Sequence, residues 1–144
     1  MDYTLYKSEC YCTNLRRSAN SISAFYDAAF KETGLTAAQY YLLINLSRLG
    51  SANITHWAQT VGLNRSTMVR NVKLLQSHGY IQTTAGHGKV FILSPAGTRV
   101  LEQAIPLWQK AQRQIEAVLG SENVQAVFRI NEKLQQLSLS QEKQ

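Results

Sequence analysis

Apolar residues recur three and four positions apart along most of the chain, and the first such run covers residues 5–32. This spacing places the apolar side chains on one face of a helix. The run stops at Gly34, a residue type that commonly ends helices. We therefore predict one long helix that starts near Leu5 or Ser8. Its length exceeds that of a typical helix in a small domain, which indicates that it spans an interface.

A second helix is predicted from its own N-terminal signal. Thr36 and Gln39 have the spacing of a capping box, in which each side chain bonds the backbone N–H of the other residue. The helix should end before Gly50. We expect residues 51–53 to form a turn and Thr55 to cap the next helix.

Residues 54–81 contain two short amphipathic runs joined at Val61-Gly62-Leu63. At about 100° per residue, the second run, which Asn64 can cap, separates an apolar stripe from a polar, basic stripe. The apolar stripe consists of Met68, Val69, Val72 and Leu75, and the polar stripe of Ser66, Thr67, Arg70, Lys73 and Ser77. This is the pattern of a helix-turn-helix whose second helix enters a DNA major groove.

The periodicity changes to that of strands after residue 79. Residues 80–84 and 89–93 are rich in β-branched and aromatic side chains, and the glycines between them suit a hairpin turn. The sequence therefore predicts a two-stranded wing directly after the recognition helix.

Helical spacing returns in the C-terminal third. Ser94 and Pro95 have the residue types of an N-cap and a first helical position. We predict a helix that runs toward Leu119, which Pro106 should kink or interrupt near Ala104 to Ile105. A last helix, capped by Ser121, should follow Gly120 and carry apolar residues as far as Leu137.

The charge of +6 is concentrated in one segment. No Asp or Glu lies in residues 33–101, which hold Arg48, Arg65, Arg70, Lys73, Lys89 and Arg99. The other residues hold nine basic and nine acidic side chains, since 15 − 6 = 9, and are neutral. A positive field without carboxylates suits a polyanion. The alternative is a neutral, soluble core whose acids lie elsewhere, and the helix-turn-helix in the same segment favours nucleic acid over it.

Several classes of protein are disfavoured. No apolar run reaches 18 residues and the N-terminus lacks a secretory signal, so we expect a cytoplasmic protein without a membrane span. Two cysteines and three scattered histidines give no metal site. There is no phosphate-binding glycine loop, nucleophile elbow or carboxylate pair in the central segment, so we expect neither an enzyme nor a cofactor.

Three motifs together resemble the MarR (multiple antibiotic resistance regulator) family of bacterial winged helix-turn-helix repressors. They are LTAAQYYLLINL at 35–46, ITHWAQTVGLNRSTMVRNVKLLQSHGYI at 54–81 and VFILSPAGTRVL at 90–101. The resemblance covers nearly the whole chain. It implies a mainly α fold with a small β wing, in which residues 1–34 and 95–144 form a helical dimerisation lobe and residues 35–94 the DNA-binding lobe. It also implies a homodimer on a palindromic double-stranded operator, with recognition helices in adjacent major grooves and wings at the flanking minor grooves.

Contacts with DNA are predicted for seven residues of the helix-turn-helix and three of the wing: Asn64, Arg65, Ser66, Thr67, Arg70, Asn71, Lys73, Thr84, His87 and Lys89. Arginine can bond guanine edges with two donors, and hydroxyls bond phosphates or bases. The family's wing commonly carries an Asp-x-Arg pattern, which residues 85–89 lack. His87 or Lys89 would then replace that arginine, or the wing would contact phosphates only.

Release from DNA has two candidate triggers. Cys10 and Cys12 lie near the start of the first helix, and the family contains redox-sensing members with N-terminal cysteines. Two helical residues at this spacing point about 200° apart, which disfavours a disulfide within one helix. The alternative trigger is a small aromatic ligand in a cavity, for which the candidate lining residues are Tyr11, Arg16, Phe25, Tyr40, His56 and Trp57. Aromatic residues at helical spacing are also typical of an ordinary core.

The sequence favours a sequence-specific transcriptional regulator, most simply a repressor, over two alternatives. An architectural DNA-binding protein would bind without sequence preference. A winged-helix protein-interaction module would lack salt-dependent DNA affinity, and the basic face at residues 65–73 argues against it.

Overall fold

The computed structural model describes residues 8–84, 86 and 89–142, with side chains as far as residue 139. The helices are α1 (Tyr11–Ala29), α2 (Ala37–Leu49), α3 (Ile54–Val61), α4 (Arg65–Ser77) and α5 (Pro95–Glu142), with one turn of 3₁₀ helix at Lys31–Thr33. The strands are β1 (Ala52–Asn53), β2 (Ile81–Thr83) and β3 (Val90–Leu93). The predicted fold class, mainly α with a small β wing, is confirmed.

Helix α1 is shorter than predicted, and the expected start near Leu5 or Ser8 is wrong. Cys10 has extended torsion angles (φ −79°, ψ 115°) and immediately precedes the helix. Its backbone N–H donates to Ser8 Oγ at 3.1 Å, and the side-chain amide of Asn14 donates to the Ser8 carbonyl at 2.7 Å. Such local bonds compete with the helical pattern and hold these residues outside α1.

The capping box of α2 is confirmed. The N–H of Gln39 donates to Thr36 Oγ1 at 3.1 Å, and the N–H of Thr36 donates to Gln39 Oε1 at 3.0 Å. A carboxylate from α1 adds to this cap, since Asp27 Oδ1 accepts the N–H of Ala37 at 2.6 Å. Long-range capping of this kind fixes where α1 meets α2, which sequence spacing does not reveal.

The turn predicted at residues 51–53 is wrong, because its last two residues form β1. This strand pairs antiparallel with β3, so the sheet has three strands in the order β1-β3-β2 rather than two. Two residues are too few to show a strand periodicity. The cap of α3 also differs, since Asn53 Oδ1 accepts the N–H of His56 at 2.8 Å and Thr55 lies inside the helix.

The core surrounds Trp57, which has no exposed surface. Its indole N–H donates to the Leu42 carbonyl at 3.1 Å, and its ring lies 6.1 Å from that of Phe91. The fully buried large side chains are Trp57, Phe30, Leu42, Leu43, Leu46, Met68 and Leu75. Because these come from α2, α3 and α4 and from Phe30 directly after α1, the helix-turn-helix is held by a single-chain core.

The sheet is joined tightly to the start of α5. Ser94 Oγ accepts the N–H of Gly97 at 3.0 Å and donates to the Gly79 carbonyl, so the predicted cap of α5 is confirmed. Gly97 itself lies so close to the Tyr80 carbonyl that an added Cβ would overlap it. The wing therefore has a short, rigid connection to α5.

Helix α5 continues through Pro106 with helical torsion angles, and the interruption predicted there is wrong. The proline removes the hydrogen bond to the carbonyl of Glu102, but both residues are exposed, so water can bond that carbonyl. The non-helical residue is Gly120, with φ 78° and ψ 159°, where the sequence predicted a break. No helix among the residues described here is long and apolar enough to cross a membrane.

Contacts divide the chain into two compact units, residues 1–108 and 109–144. The first unit contains the helix-turn-helix, the sheet and the core, and the second consists of the remaining part of α5. The predicted division into dimerisation and DNA-binding lobes stays a prediction.

Candidate nucleic-acid interface

The start of α4 is fixed by the residues before it. Gly62 adopts a left-handed conformation (φ 72°), which lets the chain turn sharply between α3 and α4. Asn64 Oδ1 then accepts the N–H of Thr67 at 2.8 Å and the hydroxyl of Ser66 at 2.9 Å. The cap is the one predicted, and it uses the Asn64 oxygen that could otherwise have contacted DNA.

Helix α4 has the two faces that the sequence predicts. Met68, Val72 and Leu75 are buried, and the opposite face exposes Ser66, Arg70, Lys73 and Ser77. Fixing the first turn fixes the direction of the exposed face, because each later residue is rotated by about 100°. The exposed face therefore presents hydroxyls and cations as a single stripe.

Thr67 and Asn71 lie on the flank of this stripe and are half-buried. The Asn71 amide donates to the Thr67 carbonyl at 2.9 Å, so it is engaged within the helix. A guanidinium nitrogen of Arg70 lies 3.4 Å from Thr67 Oγ1, at the long end of hydrogen bonding. The Arg70 side chain is thus only loosely restrained and extends from the centre of the stripe.

Arg65 is restrained differently. Its Nη1 donates to Thr55 Oγ1 at 3.0 Å, which connects the first residue of α4 to the first turn of α3. This bond draws the guanidinium toward α3. Thr55, predicted as a helix cap, instead positions a cation.

Arg65 also lines a groove of about 470 Å³ that lies between the start of α3, α4 and β3. Its charged side chains are all cationic: Arg65, Lys73 and Lys89. Its other lining residues are Asn53, Ile54, Thr55, Val69, Val72, Gln76 and Phe91. We call this the helix–wing groove. It brings the wing's Lys89 together with two cations of the recognition helix.

The wing's predicted contact residues have different environments. Thr84 is exposed, and its N–H and hydroxyl lie 2.9 and 3.4 Å from the Val90 carbonyl, so both of its donors are directed across the hairpin. Lys89 is exposed beside the helix–wing groove. His87 lies outside the described residues, as do the neighbouring Ala85 and Gly88.

The two cysteines are exposed and reduced. Hydrogen bonds from Thr13, first from its side chain, hold the pKa of the Cys10 thiol below its usual value. The Arg16 Nε lies 3.2 Å from Cys12 Sγ. Since Cys10 precedes α1 with extended torsion angles, the expected 200° separation of two helical cysteines does not apply.

A second cavity, of about 270 Å³, lies among aromatic side chains. Its lining residues are Tyr26, Phe30, Ala37, Tyr40, Tyr41, Ile44, Asn45, Arg48 and Trp108. The rings of Phe30 and Tyr40 are stacked at 4.8 Å, and burial raises the pKa of the Tyr40 hydroxyl. Arg48 is the charged group of this aromatic cavity.

Of the six residues predicted for a ligand cavity, Tyr40 lines the aromatic cavity and the others do not. Trp57 was wrongly assigned, because it has no exposed surface and fills the core. Tyr11 and Phe25 are 85% and 41% exposed, and Arg16 and His56 are exposed as well. Sequence spacing identified aromatic positions but not which of them surround empty space.

Sequence reasoning missed the groove and most of the aromatic cavity. Thr55 and Gln76 had no signal beyond polarity. Arg48 had one, since it is a basic residue in the last turn of a helix that also carries Tyr40 and Tyr41. Within the described part of the chain, no group of three or more His, Cys, Asp or Glu side chains could hold a metal ion.

The chain is similar to solved structures of transcriptional regulators. No protein-family model matches the sequence, and a search of curated proteins found no match. The transcriptional regulator MosR of M. tuberculosis is 30% identical, with 92% of this chain and 98% of MosR covered and a TM-score of 0.75. MosR in complex with DNA gives 29% identity over the same fractions and a TM-score of 0.81.

Two more distant structures share the fold. BpsR of Bordetella bronchiseptica, whose DNA binding is regulated by 6-hydroxynicotinic acid, is 18% identical with a TM-score of 0.80, over 91% of this chain and 97% of BpsR. A MarR variant from E. coli in complex with operator DNA is 15% identical with a TM-score of 0.77, over 85% of this chain and 91% of MarR. With a capped recognition helix, a wing and near-complete coverage of MosR, the chain belongs to the MarR family of transcriptional regulators.

Proposed function

We propose that this chain is a homodimeric repressor that binds a palindromic operator through α4 and is released by a small aromatic ligand or by cysteine oxidation. The exposed stripe of α4 is the main support for DNA binding. Its hydroxyls and cations lie in a segment without carboxylates, on a helix whose first turn is fixed by Asn64. MosR and MarR, which have this fold, were each solved on DNA.

Within the stripe, Ser66 and Arg70 are the proposed base readers. Both are exposed at its centre. Arginine discriminates guanine by bonding O6 and N7 together, which requires a side chain that is free to extend into the major groove. The loose 3.4 Å contact of Arg70 with Thr67 leaves it that freedom.

The test begins by selecting a preferred duplex from a randomised pool with the wild-type protein. A specific regulator should prefer that duplex over a scrambled one by about a thousandfold or more at physiological salt. Arg70→Ala should cost roughly 1–3 kcal/mol and relax discrimination at one position in each half-site. Equal weakening on both duplexes would instead assign Arg70 to a phosphate.

The same measurement separates the alternative functions. Wild-type protein that binds both duplexes equally would be an architectural DNA-binding protein. Protein without salt-dependent affinity for either duplex would be an interaction module.

Exposed apolar surface supports the homodimer. Helix α1 contains no buried residue in its 19 positions, and its apolar residues Leu15, Ile22 and Phe25 are each more than 40% exposed. In the second unit, the exposed large apolar residues are Val118, Val127, Phe128, Ile130, Leu134, Leu137 and Leu139. Exposed apolar surface on this scale marks an interaction site, and a second copy of the chain is the partner implied by the family.

The aromatic cavity is the proposed ligand site. Its walls are rings, and Arg48 supplies a cation that can bond a carboxylate with two donors. A single-ring aromatic acid fits this chemistry and a cavity of about 270 Å³. BpsR, which shares the fold, is regulated by an aromatic acid.

Binding can be followed with 6-hydroxynicotinic acid and benzoic acid as probes. Because the Trp108 ring lines the cavity, we expect quenching of tryptophan fluorescence that saturates, and loss of this signal in Arg48→Gln. Arg99→Gln removes an exposed cation elsewhere and serves as the matched control. Unsaturable quenching, or equal quenching in both variants, would contradict the assignment.

Oxidation is the second proposed release mechanism. The sulfur of a Cys10 thiolate would attack hydrogen peroxide, breaking the O–O bond, forming sulfenic acid and releasing hydroxide, which becomes water on protonation. A second cysteine thiolate would attack the sulfenic sulfur, break its S–O bond, form a disulfide and release hydroxide, which becomes water on protonation, so that one peroxide accepts the two electrons. The lowered pKa of Cys10 favours the thiolate that begins this sequence.

The redox hypothesis is tested by DNA release under peroxide. Wild-type protein should release the selected duplex, and a Cys10→Ala, Cys12→Ala variant should not. Non-reducing electrophoresis would distinguish a disulfide between subunits from one within a subunit. Normal release by the double variant would refute cysteine sensing.

In either case, ligand or disulfide would act by favouring a dimer whose recognition helices no longer match the operator spacing. We also propose that the chain has no catalytic activity and works in the cytoplasm with its DNA target. Both proposals are supported by the regulators that share its fold.

A further inference from the structure

We infer that the helix–wing groove holds the sugar–phosphate backbone of the bound duplex and that Arg65 contacts a phosphate rather than a base edge. This inference rests on the proposed DNA binding and assigns different tasks to cations that the sequence placed in one group. Arg65, Lys73 and Lys89 would position the duplex, and Ser66 and Arg70 would read it.

The orientation of Arg65 is the first support. At about 100° per residue, Arg65 lies roughly 140° around α4 from Arg70. The 3.0 Å bond to Thr55 Oγ1 holds its guanidinium beside the first turn of α3. Only one donor is used by that bond, and the remaining N–H groups of the fork can bond phosphate oxygens.

The position of the groove is the second support. It lies between the recognition helix and β3, the second strand of the wing. A helix in the major groove and a wing at the adjacent minor groove are separated by the strand of phosphates that divides the two grooves. A concave surface between helix and wing therefore faces backbone rather than base edges.

The chemistry of the groove is the third support. Its charged residues come from both sides, Arg65 and Lys73 from α4 and Lys89 from the wing, and no carboxylate lies in the surrounding sequence from residue 33 to residue 101. Asn53 and Gln76 add amide donors to the lining. Cations with neutral donors are the groups that proteins use on phosphates.

The dependence of affinity on salt tests this assignment. Arg65→Ala and Lys89→Ala should each weaken binding to the selected duplex and to the scrambled duplex by a similar factor. Each should also make the slope of log K against log salt shallower by about 1. The ratio between the two duplexes should stay constant. Arg99→Ala removes an exposed cation that does not line the groove and should leave the slope unchanged.

The outcomes are separable from those for the proposed function. If Arg65→Ala relaxes preference at one base pair and leaves the slope unchanged, Arg65 reads a base and the inference is overturned. If wild-type protein itself shows no salt-dependent binding, the proposed function fails before the groove is tested.

Thr55 is assigned as a positioning residue for Arg65. Thr55→Val removes the hydrogen bond to Arg65, so affinity for DNA should fall by about fivefold, the effect of one hydrogen bond. Because the charge of Arg65 is kept, the salt slope should be unchanged. In an Arg65→Ala background, Thr55→Val should have no further effect on affinity. With Arg65 present, Thr55→Ser retains the hydroxyl and should bind DNA as the wild type does. Equal loss in both backgrounds would show that Thr55 acts through the fold and not through Arg65.

Discussion

Residues 35–94, the proposed DNA-binding lobe, and the two ends of the described chain contrast in how they use apolar residues. Helix α2 buries five of its 13 residues, whereas α1 buries none of its 19. Trp57 has no exposed surface, while Tyr11 and Val118 are 85% and 87% exposed. One region is thus complete within a single chain, and the ends carry apolar surface that a second copy would cover.

The contrast extends to how the helices begin. Helices α2, α3 and α4 each start at a side chain that accepts a backbone N–H: Thr36, Asn53 and Asn64. Such caps fix the first turn and therefore the direction of every later side chain. A surface that must match base edges benefits from this fixed geometry. Of the two terminal helices, α5 is capped in the same way by Ser94, whereas α1 begins after Cys10 without a side-chain cap.

The largest effect expected is loss of the core tryptophan. Trp57→Ala removes a fully buried ring and leaves the Leu42 carbonyl without its donor. We expect a loss of about 3–5 kcal/mol in the free energy of unfolding, measured by urea denaturation. Tyr41→Ala, at a residue 49% exposed on α2, is the control and should cost much less. Similar losses for the two variants would break the contrast between core and surface.

Removal of an exposed terminal residue should instead act on association. Phe128 is 57% exposed in the single chain. If the dimer buries it, Phe128→Ala should reduce the free energy of dimerisation by about 2 kcal/mol for each protomer. Since a dimer contains two copies, the dissociation constant should rise roughly 100- to 1,000-fold by sedimentation. Lys133→Ala, at an exposed charged position on the same helix, should leave association unchanged. An unaltered dimer in Phe128→Ala would place the interface elsewhere.

The joint between wing and α5 tests how rigidly the DNA-binding region is held. Gly97→Ala would place a methyl group against the Tyr80 carbonyl, so the backbone must shift. We expect the free energy of unfolding, measured by thermal denaturation, to fall by about 1–3 kcal/mol. DNA binding should also weaken, because the wing moves. Thr98→Ala alters an exposed neighbour and should do neither. Unchanged stability and DNA affinity in Gly97→Ala would show that the backbone between wing and α5 can shift without cost.

The smallest effect is expected at the cap of the recognition helix. Asn64→Ala removes the acceptor for the Thr67 N–H and should destabilise the protein by about 1 kcal/mol. Asn64→Asp retains a capping oxygen and should recover that stability while adding a negative charge near DNA. Affinity for DNA should then fall in the Asp variant although its stability is restored, which separates the cap from the contact surface.

Short-range patterns predicted much of the fold. The capping box, the turn at Gly62, the cap at Asn64 and the break at Gly120 depend on a few neighbouring residues, and each is present. The wrong predictions had several causes, and local bonds at Ser8 explain the late start of α1. β1 exists because β3 pairs with it, and Pro106 is accommodated because the exposed carbonyl it leaves can bond water.

The binding surfaces show the same limit. The sequence identified the polar stripe of α4 and the carboxylate-free segment around it, because periodicity and charge are properties of the chain itself. It grouped Arg65 with Arg70 as DNA contacts, and the contact with Thr55 ten residues earlier and the helix–wing groove distinguish them. It also assigned Trp57 to a cavity, because aromatic character alone does not distinguish a ring that fills space from one that borders it.

The sequence by itself determined that this is a winged helix-turn-helix protein with a basic recognition helix, since 3.6-residue periodicity, caps and charge are encoded locally. The tertiary structure decided where the cations point and where empty space remains. It brought Arg65, Lys73 and Lys89 into one groove and Arg48 to the wall of an aromatic cavity. The groove depends on the packing of α3, α4 and the sheet, and the cavity on residues of α1, α2 and α5. Packing joins residues that no sequence spacing relates.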